Sequence, residues 1–357
     1  MNLFTPVSLG DLHLPNRVTM APLTRLRSDE SGVPGSLIAE HYAQRASMGL
    51  IVTEGTFPSA ESRTFIGQPG IVTEEQVAGW RRVADAVHAN GGRIVVQLMN
   101  GGRVSHTDIT GADRIVAPTA IAVDGLVRTH TGKVPFEVPH ALSTAELAVV
   151  TDEFVTAARN AIAAGLDGVE IHGANGYLLH QFLSPASNNR EDEFGGSPEN
   201  RARFIVQVVR AVAAAIGSGR VGIRISPMHN IQDVLETDLA DVTATYDALA
   251  DGIAPLGLAY LSILHSEPSG ALVQGIRARF GGPTIVNSGF STVTTRTEAI
   301  ALVEESHADA VAIGRLAIAN PDLIERWAAE EDENEPNAAT FYAAGAEGYT
   351  DYPRLSA

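Results

Sequence analysis

A histidine, an asparagine and a tyrosine stand close together in the run His172-Gly173-Ala174-Asn175-Gly176-Tyr177. All three side chains can donate hydrogen bonds, and the residues between them are small. His172 and Asn175 have the chemistry to hold the oxygen of a carbonyl or nitro group. Tyr177 could deliver a proton to a neighbouring carbon. An isolated His-x-x-Asn is more commonly a satisfied histidine and a turn asparagine. The setting is what gives these three weight. The run before them, Gly168-Val169-Glu170-Ile171, is short and apolar, the pattern of a buried strand. The set is expected just past that strand's end.

Something must carry that strand. Apolar runs at 17–21, 50–55, 93–98, 168–171, 221–225, 258–263, 284–287 and 310–313 read as strands. Between them, helical patterns run over 36–48, 75–90, 144–164, 198–216 and 238–251, with a last one at 321–329. Eight apolar strands alternating with helices predict an α/β fold, a (β/α)8 TIM barrel, more than a doubly wound sheet. No G-x-G-x-x-G fingerprint follows the first strand, which weakens a dinucleotide-fold reading. Residues 7–14 read as a hairpin around Gly10-Asp11 that plugs the barrel bottom. Residues 99–143 break the rhythm after the third strand. They are rich in Gly, Pro, Thr and His, with a possible hairpin at 121–134, and are expected as a loop insertion over the active face. The whole of 1–357 is expected to form one barrel domain.

Composition narrows the chemistry. The 357 residues are 45% hydrophobic and 19% charged, enough for a large core. A net charge of −17 argues against nucleic acid or an anionic membrane surface as partner. The absence of cysteine removes disulfides, thiolate nucleophiles, Cys-ligated zinc and iron–sulfur clusters. Lys133 is the only lysine and falls in a Gly/Pro-punctuated stretch, so a Schiff-base lysine at a strand end is missing. No apolar run is long enough to span a bilayer, and no basic-then-apolar leader is visible, so the expected location is the cytoplasm. The 11 histidines show no paired spacing at strand ends, so no metal site is expected. A metal-dependent barrel hydrolase remains the remote alternative.

In a barrel, chemistry belongs at the C-terminal strand ends. Those ends hold Ala21-Pro22-Leu23-Thr24, Gly55-Thr56, Gln97, His172, Arg224, Ser288-Gly289 and Gly314-Arg315. Loops after strands seven and eight often bind phosphate. Ser288-Gly289-Phe290 and Gly314-Arg315 offer close backbone approach and a fixed positive charge there. The Gln97 amide could pair with an imide edge, and Arg224 could face a negative charge developing on a ring. A flavin isoalloxazine needs both.

Further motifs surround these ends. They are Leu14-Pro15-Asn16-Arg17, Arg25 after Thr24, Tyr42-Ala43-Gln44-Arg45-Ala46, Ser187-Asn188-Asn189-Arg190 and Phe194-Gly195-Gly196-Ser197. Glu199-Asn200-Arg201, Arg224-Ile225-Ser226-Pro227, Asn320-Pro321-Asp322 and the tail 348–353 follow. In this order and spacing, from about Leu3 to Pro353, the chain resembles the Old Yellow Enzyme family, the FMN-dependent ene-reductases. The resemblance implies non-covalent FMN and NADPH or NADH as co-substrate. It implies reduction of activated C=C bonds of α,β-unsaturated carbonyl or nitro compounds by hydride transfer from flavin N5. Nitrate-ester or amine chemistry on the same flavin is the alternative. By resemblance, His172 and Asn175 grip the activating group and Tyr177 donates the proton. Ala21, Pro22, Leu23, Thr24, Gly55, Gln97, His172 and Arg224 contact the flavin, and Ser288, Gly289, Phe290, Gly314 and Arg315 its phosphate. Thr24, Phe65, Met99, Gln232 and Tyr342 line the substrate pocket. One departure stands out: the family's Gln-Leu-Trp-His is Gln97-Leu98-Met99-Asn100 here, a more deformable wall. The partners implied are an activated alkene and NAD(P)H, with a homo-oligomer possible.

Overall fold

Eight apolar runs pair as parallel strands and close on themselves in the computed structural model, which describes residues 1–289 and 292–355. The barrel strands are β1 (Val18–Met20), β2 (Leu50–Val52), β3 (Ile94–Leu98) and β4 (Gly168–Gly173). They continue with β5 (Val221–Ile225), β6 (Tyr260–Leu264), β7 (Thr284–Asn287) and β8 (Ala310–Ile313). Every barrel-strand residue is buried, because helices cover one face and the barrel interior the other. That is why the strands read as continuous apolar runs rather than alternating ones.

Helices α1 (Ser36–Ala43), α2 (Glu74–Ala89), α3 (Thr144–Ala163), α4 (Pro198–Ile216), α5 (Leu239–Ile253), α6 (Ala271–Phe280), α7 (Arg296–Glu304) and α8 (Leu323–Ala329) form the outer ring. Their starts carry their own signals. Thr73 and Ser143 make capping boxes with Gln76 and Glu146. Ser197 caps α4, with Pro198 in its first turn. Helices α6 and α7 had no clear sequence pattern; Gly275 interrupts the first. The helix expected over 36–48 ends at Ala43. The chain turns inward there so that the buried Arg45 guanidinium can donate to Ala317 O at 2.6 Å and Ile318 O at 2.5 Å.

The N-terminal hairpin, Val7–Leu9 against Leu12–Leu14, packs as the sequence suggests. Leu9, Leu12 and Leu14 join Leu50, Val52, Val95, Tyr260 and Ile285 in one buried cluster inside the barrel. The 99–143 segment holds a short helix (Thr107–Thr110), a paired strand (Val116–Ala117 beside His140–Ala141) and a hairpin, Leu126–Thr129 with Gly132–Pro135. It is tied to the loop after β5: buried Arg103 donates to Ile121 O and Gln232 O, both at 3.1 Å. Among the described residues, no helix is long and apolar enough to cross a membrane.

Candidate active site

Strand periodicity decides which side chains enter the barrel. In β4, Val169 and Ile171 join the core outside the barrel, so Glu170 and His172 share the inward face. The expectation that His172 lies past the strand end is corrected. Pairing continues through His172 with Arg224 and Gly173 with Ile225, so β4 runs to Gly173. The register also sets Glu170 beside Gln97 of β3 and beside Gly222 of β5. Arg224 in turn pairs with Ser262 of β6.

These neighbours hold one another. The Gln97 amide nitrogen lies 2.8 Å from Glu170 Oε1 and 3.0 Å from His172 Nδ1. Arg224 donates to Ser262 Oγ and Asn287 Oδ1, both at 2.9 Å, while its Nε–H has no partner. Burial first, then Arg224 and His180, holds the His172 imidazole well below its usual value, so it is neutral. Burial pushes the Glu170 carboxyl up; Arg224, Gln97 and Tyr260 pull it back towards the ionised form.

Beyond β4 the chain makes a sharp turn. Asn175 has φ 58°, a left-handed conformation that asparagine tolerates better than most residues. Its N–H donates to Ser226 Oγ at 2.9 Å, and its carbonyl accepts from Gln232 Nε2 at 2.9 Å. The Gly176 N–H donates to His180 Nδ1 at 2.9 Å, and His180 Nε2 meets Glu236 at 3.2 Å. Tyr177 then caps a short helix, Leu178–Leu183, which had no separate sequence signal. The Tyr177 ring lies 5.3 Å from the His172 ring and edge-on to Phe65 at 6.4 Å. Desolvation pushes its phenol up to about 12, against a smaller opposing effect of Gln232.

The other expected residues fall as follows. One cavity runs from Ala21, Pro22 and Leu23 past Asn175 and Arg224 to Gly289, Gly314 and Arg315. Thr24 follows in the same loop, partly exposed. Met99 is buried against Gly55, where an added Cβ would lie 2.6 Å from its sulfur. Gly55 O accepts from Gln68, so this glycine is held within the wall. The Ser288 hydroxyl is engaged with Thr294 and Glu298. Tyr342 is 67% exposed on the C-terminal tail, yet near enough to act on the Tyr177 phenol. Phe290 lies outside the described residues. Glu170, Ser226, Ser262 and Asn287 were not singled out from sequence. A carboxylate two residues before His172, on the same strand face, was the available signal for Glu170.

The residues present fit FMN. The buried Arg224 N–H and Asn175 Oδ1 lack partners at the cavity wall. The nearest atoms to an added Cβ at Gly314 and Gly289 are leucine methyls at 3.7 and 3.8 Å. Protein atoms therefore do not require a glycine at Gly314, whereas the Gly289 φ of 103° does at that position. Two adjacent bare backbones beside an arginine suit a phosphate. Among the described residues, no three or more His, Asp or Glu side chains cluster as a metal site would need.

The NADH:flavin oxidoreductase / NADH oxidase family model matches residues 2–334. The chain is 42% identical over 360 residues to a probable flavin mononucleotide-dependent alkene reductase of Leishmania infantum, covering 98% of this chain and 97% of that protein. It is 40% identical to 12-oxophytodienoate reductase 1 of Oryza sativa subsp. japonica, over 99% of this chain and 93% of that one. An old yellow enzyme homologue from Zymomonas mobilis superposes with TM-score 0.94 at 37% identity, covering 99% and 100% of the two chains. Morphinone reductase in complex with tetrahydroNAD superposes with TM-score 0.93 at 43% identity, covering 100% and 98%.

Proposed function

The chain belongs to the NADH:flavin oxidoreductase / NADH oxidase family, and from that premise we propose how its barrel mouth works. The protein is an FMN-dependent oxidoreductase that uses NADH or NADPH to reduce activated C=C bonds. Bound FMN would supply the redox chemistry, accepting a hydride from nicotinamide and returning it to the alkene. Gln97 and Arg224 would hold the ring, and Gly289, Gly314 and Arg315 the phosphate.

The chain's own residues do the rest. Neutral His172 and the Asn175 amide donate to the oxygen of the substrate's carbonyl or nitro group. They stabilise negative charge there as it develops, an effect strengthened by burial. Tyr177 O–H delivers a proton to the α-carbon, opposite in role to the hydride at the β-carbon. Arg224 keeps a fixed positive charge at the ring edge, neutralised in part by Glu170. Phe65, Gln232 and Met99 shape the pocket wall. Nicotinamide and alkene would take turns in one cavity, so kinetics should be ping-pong. A cytoplasmic setting, where nicotinamide dinucleotides are supplied, suits this chemistry.

One observation carries the reading: Asn175, Arg224, Gly289 and Gly314 line one cavity, and the Arg224 N–H in it is buried and unpartnered. The purified protein should be yellow, with FMN released on denaturation and NAD(P)H bleaching the visible band. A colourless protein that takes up no added FMN would sink the proposal.

A further inference from the structure

Glu170 is a buried carboxylate beside Gln97 and Arg224, and the chemistry above gives it no part beyond balancing the Arg224 charge. It is 1% exposed, and its Oε2 makes no hydrogen bond. Tyr260 approaches it from the far side. The Tyr260 ring passes over Gly222, where an added Cβ would lie only 2.3 Å from the ring carbon Cζ. Gly222 sits between Glu170 and Tyr260 in the strand register, so a side chain there would separate them. The carboxylate is thus walled in by Gln97, Tyr260 and Arg224.

Its effect follows from valence. In the structure the Gln97 NH₂ donates to Glu170 Oε1 at 2.8 Å, an oxygen that accepts beside the Arg224 guanidinium. That NH₂ has two protons. The second points at His172 Nδ1, 3.0 Å away. Nδ1 must therefore carry the lone pair. A neutral imidazole with its lone pair at Nδ1 carries its proton at Nε2. Were the Gln97 amide turned over, its oxygen would face Nδ1 and draw the proton there. Nε2 would then present a lone pair, which repels a substrate oxygen.

We infer that Glu170 is a positioning residue: through the Gln97 amide it sets His172 in the Nε2–H tautomer that donates to the substrate's oxygen. The step to substrate rests on the proposed role of His172; the relay itself does not.

The test is Glu170→Gln, which keeps volume and removes the carboxylate acceptor. Ring-¹⁵N histidine spectra report which nitrogen carries the proton, and loss of one signal in His172→Asn assigns it. The spectra can be taken with or without FMN, because all three relay side chains belong to the chain. In the wild type, His172 should be in the Nε2–H form. In Glu170→Gln it should shift towards Nδ1–H, and reoxidation by an enone should slow roughly ten- to a hundred-fold, as when partners of oriented histidines are lost. In a Gln97→Ala background, which cuts the relay, adding Glu170→Gln should leave the His172 signal where Gln97→Ala alone puts it. An unchanged His172 tautomer in folded Glu170→Gln would overturn the inference. So would an equal shift on adding Glu170→Gln to Gln97→Ala. A tautomer shift without slower enone reduction would support the relay and overturn the role of His172 as donor.

Discussion

The two ends of the barrel interior share the same eight strands and have opposite chemistry. At the N-terminal end, Leu9, Leu12 and Leu14 close over Leu50, Val52, Val95 and Ile285. At the C-terminal end, a few residues along, Gln97, Glu170, His172, Arg224, Ser262 and Asn287 are buried as well. The first end gains free energy by removing apolar surface from water. The second buries charges and amides that satisfy one another only in part, and it leaves Arg224 Nε, Glu170 Oε2 and Asn175 Oδ1 without partners. Each such orphan costs about 1–3 kcal/mol. The bottom stabilises the fold, and the mouth holds groups whose missing partners a ligand can supply. Tyr260 marks the boundary: its ring belongs to the apolar cluster, and its hydroxyl side faces Glu170.

If that division is right, the two ends should break differently. Tyr177→Phe at the mouth should slow reoxidation by an enone roughly 10²–10⁴-fold, the usual loss with a general acid. Reduction by NAD(P)H and the thermal midpoint should stay near wild type. Stopped-flow traces of the two half-reactions decide it; equal reoxidation rates would mean that Tyr177 is not the proton donor.

Leu12→Ala at the bottom should do the reverse. It should lower stability by about 2–5 kcal/mol through lost burial and a cavity. Denaturant titration measures the loss, and the folded fraction should keep its turnover. A loss of turnover per folded molecule would show that the two ends are not separable.

Gly314→Val tests the cradle alone. The added side chain meets no protein atom it cannot tolerate near Cβ, so the fold should survive. Overpacking against a bound phosphate should cost about 1–3 kcal/mol, or roughly 5- to 150-fold in FMN affinity. Fluorescence titration of flavin-stripped protein reads it, and unchanged affinity would move the phosphate elsewhere.

The smallest effect expected is a flat pH profile. His172 lies well below its ordinary 6.5, so it would gain a proton only in acid. Tyr177 lies at about 12, so it would lose its proton only as pH rises through that value. Enone reoxidation should therefore show no limb from either group between the ordinary values of 6.5 and 10.0. A limb at either ordinary value would mean that the mouth is wet and not desolvated.

The barrel was legible from residue order alone, since parallel strands buried on both faces must be apolar throughout and helices must begin at caps such as Thr73, Ser143 and Ser197. The plug hairpin was legible for similar local reasons; His172, Asn175 and Tyr177 were visible as neighbours in one run, and their catalytic roles belong to the proposal. Other features were not. Helix α1 stops at Ala43 because Arg45 finds carbonyls 272 and 273 residues away, which no local pattern announces. The strand end moved to Gly173 because pairing with Ile225 of β5 continues that far. Glu170 read as one polar residue in an apolar run until closure of the barrel set Gln97 on one side of it and Gly222 on the other. Sequence by itself determined which residues the strands carry and that neighbours such as Glu170 and Ile171 take opposite faces, because a strand has a period of two. Only the tertiary structure decided which strands' residues meet, because register around a closed barrel is set by all eight strands together.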